Sequence, residues 1–139
     1  MQNKWPAKEP LHNCGLLEVS RRMTERIVLL FGWGPEEVGR TSSLLHLAET
    51  ASSIDLEVRV FLYSEGVALA RKGTAEKIDP DIGERFKRLL KNGRVKFYAC
   101  SEAAHKRAIE AENLAPPVSM MGYTAFLDIA IEAKTVITV

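Results

Sequence analysis

Cysteine is nearly missing from this chain. Only Cys14 and Cys100 occur among its 139 residues, too few for a disulfide framework, and a reducing compartment keeps both as thiols. Long apolar runs are missing as well. Nothing approaches the roughly 18 residues that a membrane-spanning helix needs, and residues 1–26 lack the continuous apolar core of a secretory signal. A cytoplasmic protein with no membrane partner is therefore expected. No charge of one sign prevails: 19 Lys and Arg against 18 Asp and Glu leave a net +1, without the basic excess typical of nucleic-acid binders. A nucleic-acid partner is not expected. There is no G-x-x-x-x-G-K-[ST] and no G-x-S-x-G, which removes the P-loop and the serine nucleophile elbow. His12, His46 and His105 have no close ligand spacing with one another, and His12 with Cys14 makes no four-ligand set. Neither a metal nor an organic cofactor is expected. Internal repeats and low-complexity segments are absent too.

What remains is ordinary globular composition, 46% hydrophobic and 27% charged, at a length that encloses a normal core in one domain. We divide the chain into an N-terminal arm over 1–25 and an α/β domain over 26–139. Within the arm, 1–13 reads as irregular or disordered. Cys14 to Met23 reads as a short amphipathic helix carrying Leu16, Leu17 and Val19.

Ile27 to Trp33 (IVLLFGW) suits a strand buried on both faces. Val38, Thr41, Leu44, Leu45, Ala48 and Ala51 then follow helical spacing over 36–53, with Pro35 in the first turn. Glu57 to Tyr63 is a second strand, Glu65 to Ala70 a short helix or turn, and Arg71 to Pro80 a loop. A helix from Asp81 to about Lys91 stops at Asn92-Gly93. Val95 to Ala99 is a third strand, 101–112 an alanine-rich helix, Val118 to Met121 a fourth strand. A helix carrying Phe126, Ile129, Ala130 and Ala133 leads to a last strand, Thr135 to Val139. The alternation implies a three-layer α/β/α sandwich around a mainly parallel five-stranded sheet with right-handed crossovers.

Chemistry in such a sheet gathers at the carboxyl ends of the strands. Cys100 stands there, at the end of the third strand and directly before a helix, whose amino terminus favours a thiolate. It reads as a nucleophile or sulfur carrier, or else as a buried core thiol. The strand exit predicts at least partial access. Backbone N–H groups of Ser101 and Glu102 are placed to steady a thiolate, while an inward Glu102 carboxylate would oppose it. Ser64, Glu65 and Gly66 follow the second strand, and Met121, Gly122 and Tyr123 the fourth, so both segments line the same edge. Lys106 and Arg107 lie on the next helix, either as attractors of an anionic sulfur species or as a solvated face. His105, five residues after Cys100, points elsewhere on an ideal helix. Gly32 and Trp33 belong to a G-x-G turn after the first strand. Glu37 occupies the third-glycine position and Pro35 removes a donor, so a tight turn is the better reading than a dinucleotide site. Cys14 is an incidental thiol or a resolving one.

These segments, in this order, resemble the DsrE/DsrF-like family from about Ile27 to Val139. The resemblance is carried by IVLLF with its helix ending LLHLAETAS, by EVRVFLYSEGVALARKG, by LLKNGRVKFYACSEAAHKRAI and by FLDIAIEAKTVITV. It implies a five-stranded α/β/α fold and homotrimers or homohexamers, or assemblies mixed with family paralogues. It further implies that the cysteine after the third strand, here Cys100, accepts sulfane sulfur as a persulfide from a donor protein and passes it to an acceptor protein. The competing readings are a non-catalytic oligomeric subunit or small-ligand module of the same fold, and a Rossmann-like nucleotide enzyme, which rests on fold analogy alone.

Overall fold

A computed structural model describes residues 25–139. The arm over 1–24, with Cys14 and the amphipathic stretch, lies outside the described residues. Five strands, β1 (Arg26–Phe31), β2 (Glu57–Leu62), β3 (Val95–Cys100), β4 (Ser119–Met121) and β5 (Thr135–Thr138), form one sheet in the order β4-β3-β2-β1-β5. Every neighbouring pair is parallel. Four helices join them: α1 (Val38–Ser53), α2 (Pro80–Leu90), α3 (Ser101–Lys106) and α4 (Tyr123–Ile131). Short 3-10 turns cover Ser64–Ala70 and Ala111–Asn113.

Side chains alternate across a strand, and the register sorts them. Ile27, Leu29 and Phe31 align with Val58, Val60 and Leu62, which align with Val95, Phe97 and Ala99. All nine are buried. This face receives α1, through Leu44, Leu45, Ala48 and Ala51, and α2, whose Phe86 meets Phe97 edge-on at 5.1 Å. Burying that apolar block is the main stabilising contribution. Arg85, 7% exposed, is kept at the α1–α2 seam by Glu49, Asp81 and Ser42. Asp79 opens α2 by accepting from the N–H groups of Asp81 and Ile82, as a capping aspartate does before proline.

The opposite face carries Phe61, Tyr98 and Cys100 and receives α4, whose Phe126 stacks on Phe61 at 4.4 Å. No residue of α4 is buried. Leu127 (55% exposed) and Ile131 (78%) continue the line begun by Tyr123, beside a half-exposed Val136 on β5. Among the described residues, one layer is thick and the other is a single nine-residue helix.

Element ends shift by one to six residues from those expected, and three of the shifts are the most telling. β1 ends at Phe31, because a Cβ on Gly32 would lie 2.8 Å from Cζ of Tyr63 and the chain turns there. α1 starts at Val38, after a turn in which the Glu37 N–H donates to the Gly34 carbonyl, so Pro35 lies outside the helix. The alanine-rich helix stops at Lys106 instead of reaching 112. Ala108 adopts φ 56°, and the N–H groups of Ala108 and Ile109 donate to the carbonyls of His105 and Ala104. This is a Schellman stop with alanine where glycine is usual. It is forced by Ile109, which is 3% exposed and must enter the core.

Left-handed backbone costs alanine on the order of 1 kcal/mol. Ala108→Gly should therefore raise unfolding stability by about 0.5–1 kcal/mol, seen as a higher urea midpoint at unchanged slope.

Candidate functional site

Parallel pairing brings the carboxyl ends of β1 to β4 to one edge. Phe31 aligns with Leu62, Leu62 with Ala99, and Cys100 with Met121. A cleft of about 220 Å³ opens there, lined by Tyr63, Ser64, Glu102, Ala103, Lys106, Arg107 and Tyr123. Each wall has a local cause. Tyr63 is held over Gly32, and its N–H donates to the Phe31 carbonyl. Ser64 turns the chain at φ 51°, an uncommon conformation for a non-glycine residue. Gly66 then passes so close to the Phe31 carbonyl that a Cβ would collide with it. The turn is thereby pinned to β1. Glu65 reaches across to Arg107 at 2.8 Å, and Arg107 also donates to the Ala103 carbonyl. Glu102 pairs with Lys106 at 3.5 Å, one helical turn away. Each cation of the cleft thus has a carboxylate partner; the Lys106 pair lies largely in solvent, where such pairs are weak, while Arg107 is only 30% exposed.

Cys100 ends β3 just before the helix that lines this cleft, is 0% exposed, and is not itself among the lining side chains. The expectation of an accessible strand exit is not met. β3 is an interior strand, so Cys100 is flanked by its neighbours, with Met121 as its ladder partner. Strand parity also directs it to the face that carries Phe61, where α4 begins. Tyr123, the first residue of α4, sits edge-on to Phe61 at 6.3 Å. The nearby Cys100 thiol, first, and the Glu102 carboxylate, second, push its phenol up to about 12. Tyr123 itself is 53% exposed.

Of the residues singled out in the sequence, Ser64, Glu102 and Tyr123 line the cleft directly. Glu65 joins it through Arg107. Gly66 and Gly32 shape it from below by permitting close approach. Ser101 opens α3, and its Oγ lies 3.7 Å from where a Gly122 Cβ would stand, so those two segments abut. Trp33 is elsewhere: it stacks on the Arg40 guanidinium at 3.9 Å, at the start of α1. Tyr63 and Ala103 were not anticipated. The signal for Tyr63 was Gly32, its neighbour one step beyond the Phe31–Leu62 pair. Helix α3 has six residues, so its aligned amides add only a short dipole to the site. Among the described residues, no group of three or more His, Cys, Asp or Glu side chains is placed to hold a metal, and no helix is long and apolar enough to cross a membrane.

A phenol raised to about 12 means that folding favours its protonated form. That contribution is fully present below the ordinary tyrosine value of about 10 and is lost as pH rises through about 12. Ultraviolet titration of the native protein should show one late phenol. Cys100→Ala removes the largest cause and should return that midpoint toward about 10.

A family model for the DsrE/DsrF-like family matches residues 25–139. The uncharacterized protein MJ0760 of Methanocaldococcus jannaschii is 30% identical over 86 residues, 59% of this chain. The match spans only 31% of that protein's length. Two solved structures share the fold. The ychN protein from E. coli has a TM-score of 0.69 at 20% identity, covering 84% of this chain and all of that one. MTH1491 from Methanobacterium thermoautotrophicum, a protein of unknown function, has a TM-score of 0.61 at 18% identity, covering 83% and 99%. The sheet, its helices and the span of the match agree: this chain belongs to the DsrE/DsrF-like family.

Proposed function

We propose that the protein is a sulfur carrier that holds sulfane sulfur on Cys100 and passes it to the thiol of a partner protein. The observation that supports this most is the position of Cys100 at the end of β3, directly before the helix that brings Glu102 and Lys106 to the cleft. The chemistry is thiol exchange. The Cys100 thiolate attacks the outer sulfur of a donor persulfide. The donor's S–S bond breaks, its electron pair leaves on the donor thiolate, and Cys100 carries the new persulfide with the outer sulfur's proton. An acceptor thiolate then attacks that outer sulfur and regenerates the Cys100 thiolate. No net oxidation occurs, and no cofactor takes part. With tetrathionate the same attack releases thiosulfate and leaves a thiosulfonate on Cys100.

Burial of Cys100 favours a second reading, a non-catalytic subunit or small-ligand module of the same fold. Intact-mass analysis after incubation with thiosulfate, tetrathionate or a persulfide-charged sulfurtransferase separates the two. The carrier gains a reducible adduct that persists in Cys14→Ser and is absent in Cys100→Ser. A folded protein that takes up no sulfur from any donor belongs to the second reading. If anionic donors enter past Lys106, Lys106→Glu should slow loading from thiosulfate by roughly two- to tenfold at low salt, less at high salt.

We also infer that copies of this chain assemble through the line of Tyr123, Leu127 and Ile131 with Val136, the large apolar side chains that α4 and β5 leave exposed. An exposed patch of that kind marks an interaction surface. Ile131→Asp should shift the protein to monomer in light scattering. Unchanged mass would count against this face.

A further inference from the structure

Strand β4 is shorter than the edge it lies on. It pairs with β3 only over Tyr98, Ala99 and Cys100, while β3 begins at Val95. Along Val95–Phe97, β3 has β2 on one side and, among the described residues, no strand on the other. The Val58 N–H donates to the Arg94 carbonyl. Alternation therefore turns the backbone groups of Arg94 and Lys96 toward β2, and those of Val95 and Phe97 toward the open side. Of these, the Val95 N–H already donates to the Asn92 carbonyl. A cavity of about 180 Å³ lies against this stretch, walled by Leu90 of α2 and by Pro117 and Ser119, where the chain enters β4. Such an edge accepts a further strand. Its side chains read apolar, cationic, apolar: Val95 and Phe97 are buried, and Lys96 between them is exposed on the other face.

We propose that the chain's own N-terminal arm fills this notch: Leu17-Glu18-Val19 adds to β3 as a short antiparallel strand, with Glu18 across from Lys96. The arm over 1–24 joins the described residues at Glu25, whose carbonyl accepts from the Glu57 N–H at the amino edge of the sheet. The notch opens at the same edge, since Val95 is level with Val58, and Val58 with Ile27. It lies three strand spacings from β1, about 14 Å. The seven residue steps from Val19 to Arg26 span up to about 23 Å when extended, enough to pass the turns before β2 and β3. Because the segment must leave at the amino edge, it runs opposite to β3. The sequence selects the triplet. The arm holds two carboxylates, Glu9 and Glu18. Glu9 stands between Lys8 and Pro10, and proline cannot donate to a ladder. Glu18 stands between Leu17 and Val19, so an extended chain puts both apolar side chains on one face and the carboxylate on the other. With Glu18 opposite Lys96, Leu17 meets Phe97 and Val19 meets Val95, and opposite charges face each other across the strands. An extended segment here replaces the helix that the composition of 14–23 suggests. The inference is independent of the carrier reading.

The test uses the full chain as Cys14→Ser, carrying Glu18→Cys with Lys96→Cys and keeping the buried Cys100. It is oxidised with copper-phenanthroline in dilute solution. Lys96 turns its backbone groups away from the open side, so a residue across from it sits at a non-hydrogen-bonded position, where opposed side chains are closest. Peptide mapping should show an intramolecular disulfide between positions 18 and 96. It should form at least about tenfold faster than the bond between positions 9 and 96 in a Glu9→Cys, Lys96→Cys control, because docking raises the local concentration of position 18 alone. Equal rates would overturn the proposal, since an arm that meets Lys96 by chance collision gives both bonds alike. Crosslinked dimers in place of the intramolecular product would also overturn it, and would assign the notch to a second copy. Hydrogen exchange reads the ladder without added cysteines. In the doubly substituted Leu17→Asp, Val19→Asp protein, the Phe97 amide should exchange at least about tenfold faster than in the parent, while the amides of β1 stay unchanged as the check on folding. Equal exchange at Phe97 would count against the added strand.

Discussion

The direction in which the sheet grows governs almost everything else. From β1 to β4 each strand is laid beside the last, and a right-handed crossover that keeps stepping one way keeps its helices on one face. Helices α1 and α2 share that face and close its core. The final connection reverses, because β5 returns to the far side of β1. Only α4 is carried to the other face. The asymmetry is therefore a product of strand order, and strand parity assigns Cys100 to the thin side, where Phe61 and Phe126 stack.

Strand order also separates two places that a parallel sheet offers for chemistry. The reversal lies between β1 and β5, where a crevice for a non-covalent ligand is usual. Cys100 lies on β3, away from the reversal, amid strands that all step the same way. A cargo held by a covalent bond needs no crevice to surround it. For the proposed carrier it needs one reactive atom, and Cys100 stands at such a strand end.

Much of the fold was legible because β1, β2 and β3 are interior strands with runs that are apolar on both faces, IVLLF and VRVFL among them. The Pro-Pro break announced the three-residue β4 despite its shortness. The alanine-rich segment after Cys100 was read as too long a helix, because its composition is helical throughout while its ending is set by where Ile109 must go. At the site, Cys100, Ser64, Glu102 and Tyr123 could be placed from strand ends alone. The burial of Cys100 could not, since it depends on how elements distant in sequence close around the end of an interior strand. Tyr63 was absorbed into its strand, although a glycine opposite its ring was visible.

The two outermost strands also bear on how the sheet ends. Strands at an edge expose unpaired N–H and C=O groups that invite another strand to add on. Here β4 offers three residues and β5 four, so neither presents a long template. β5 carries no charged side chain, but the lysine just before it, Lys134, faces Glu25 at 3.7 Å and places a charge at the start of that rim. The sheet limits its own extension by brevity at both rims, so the exposed apolar helix beside it is not accompanied by a long unpaired strand edge.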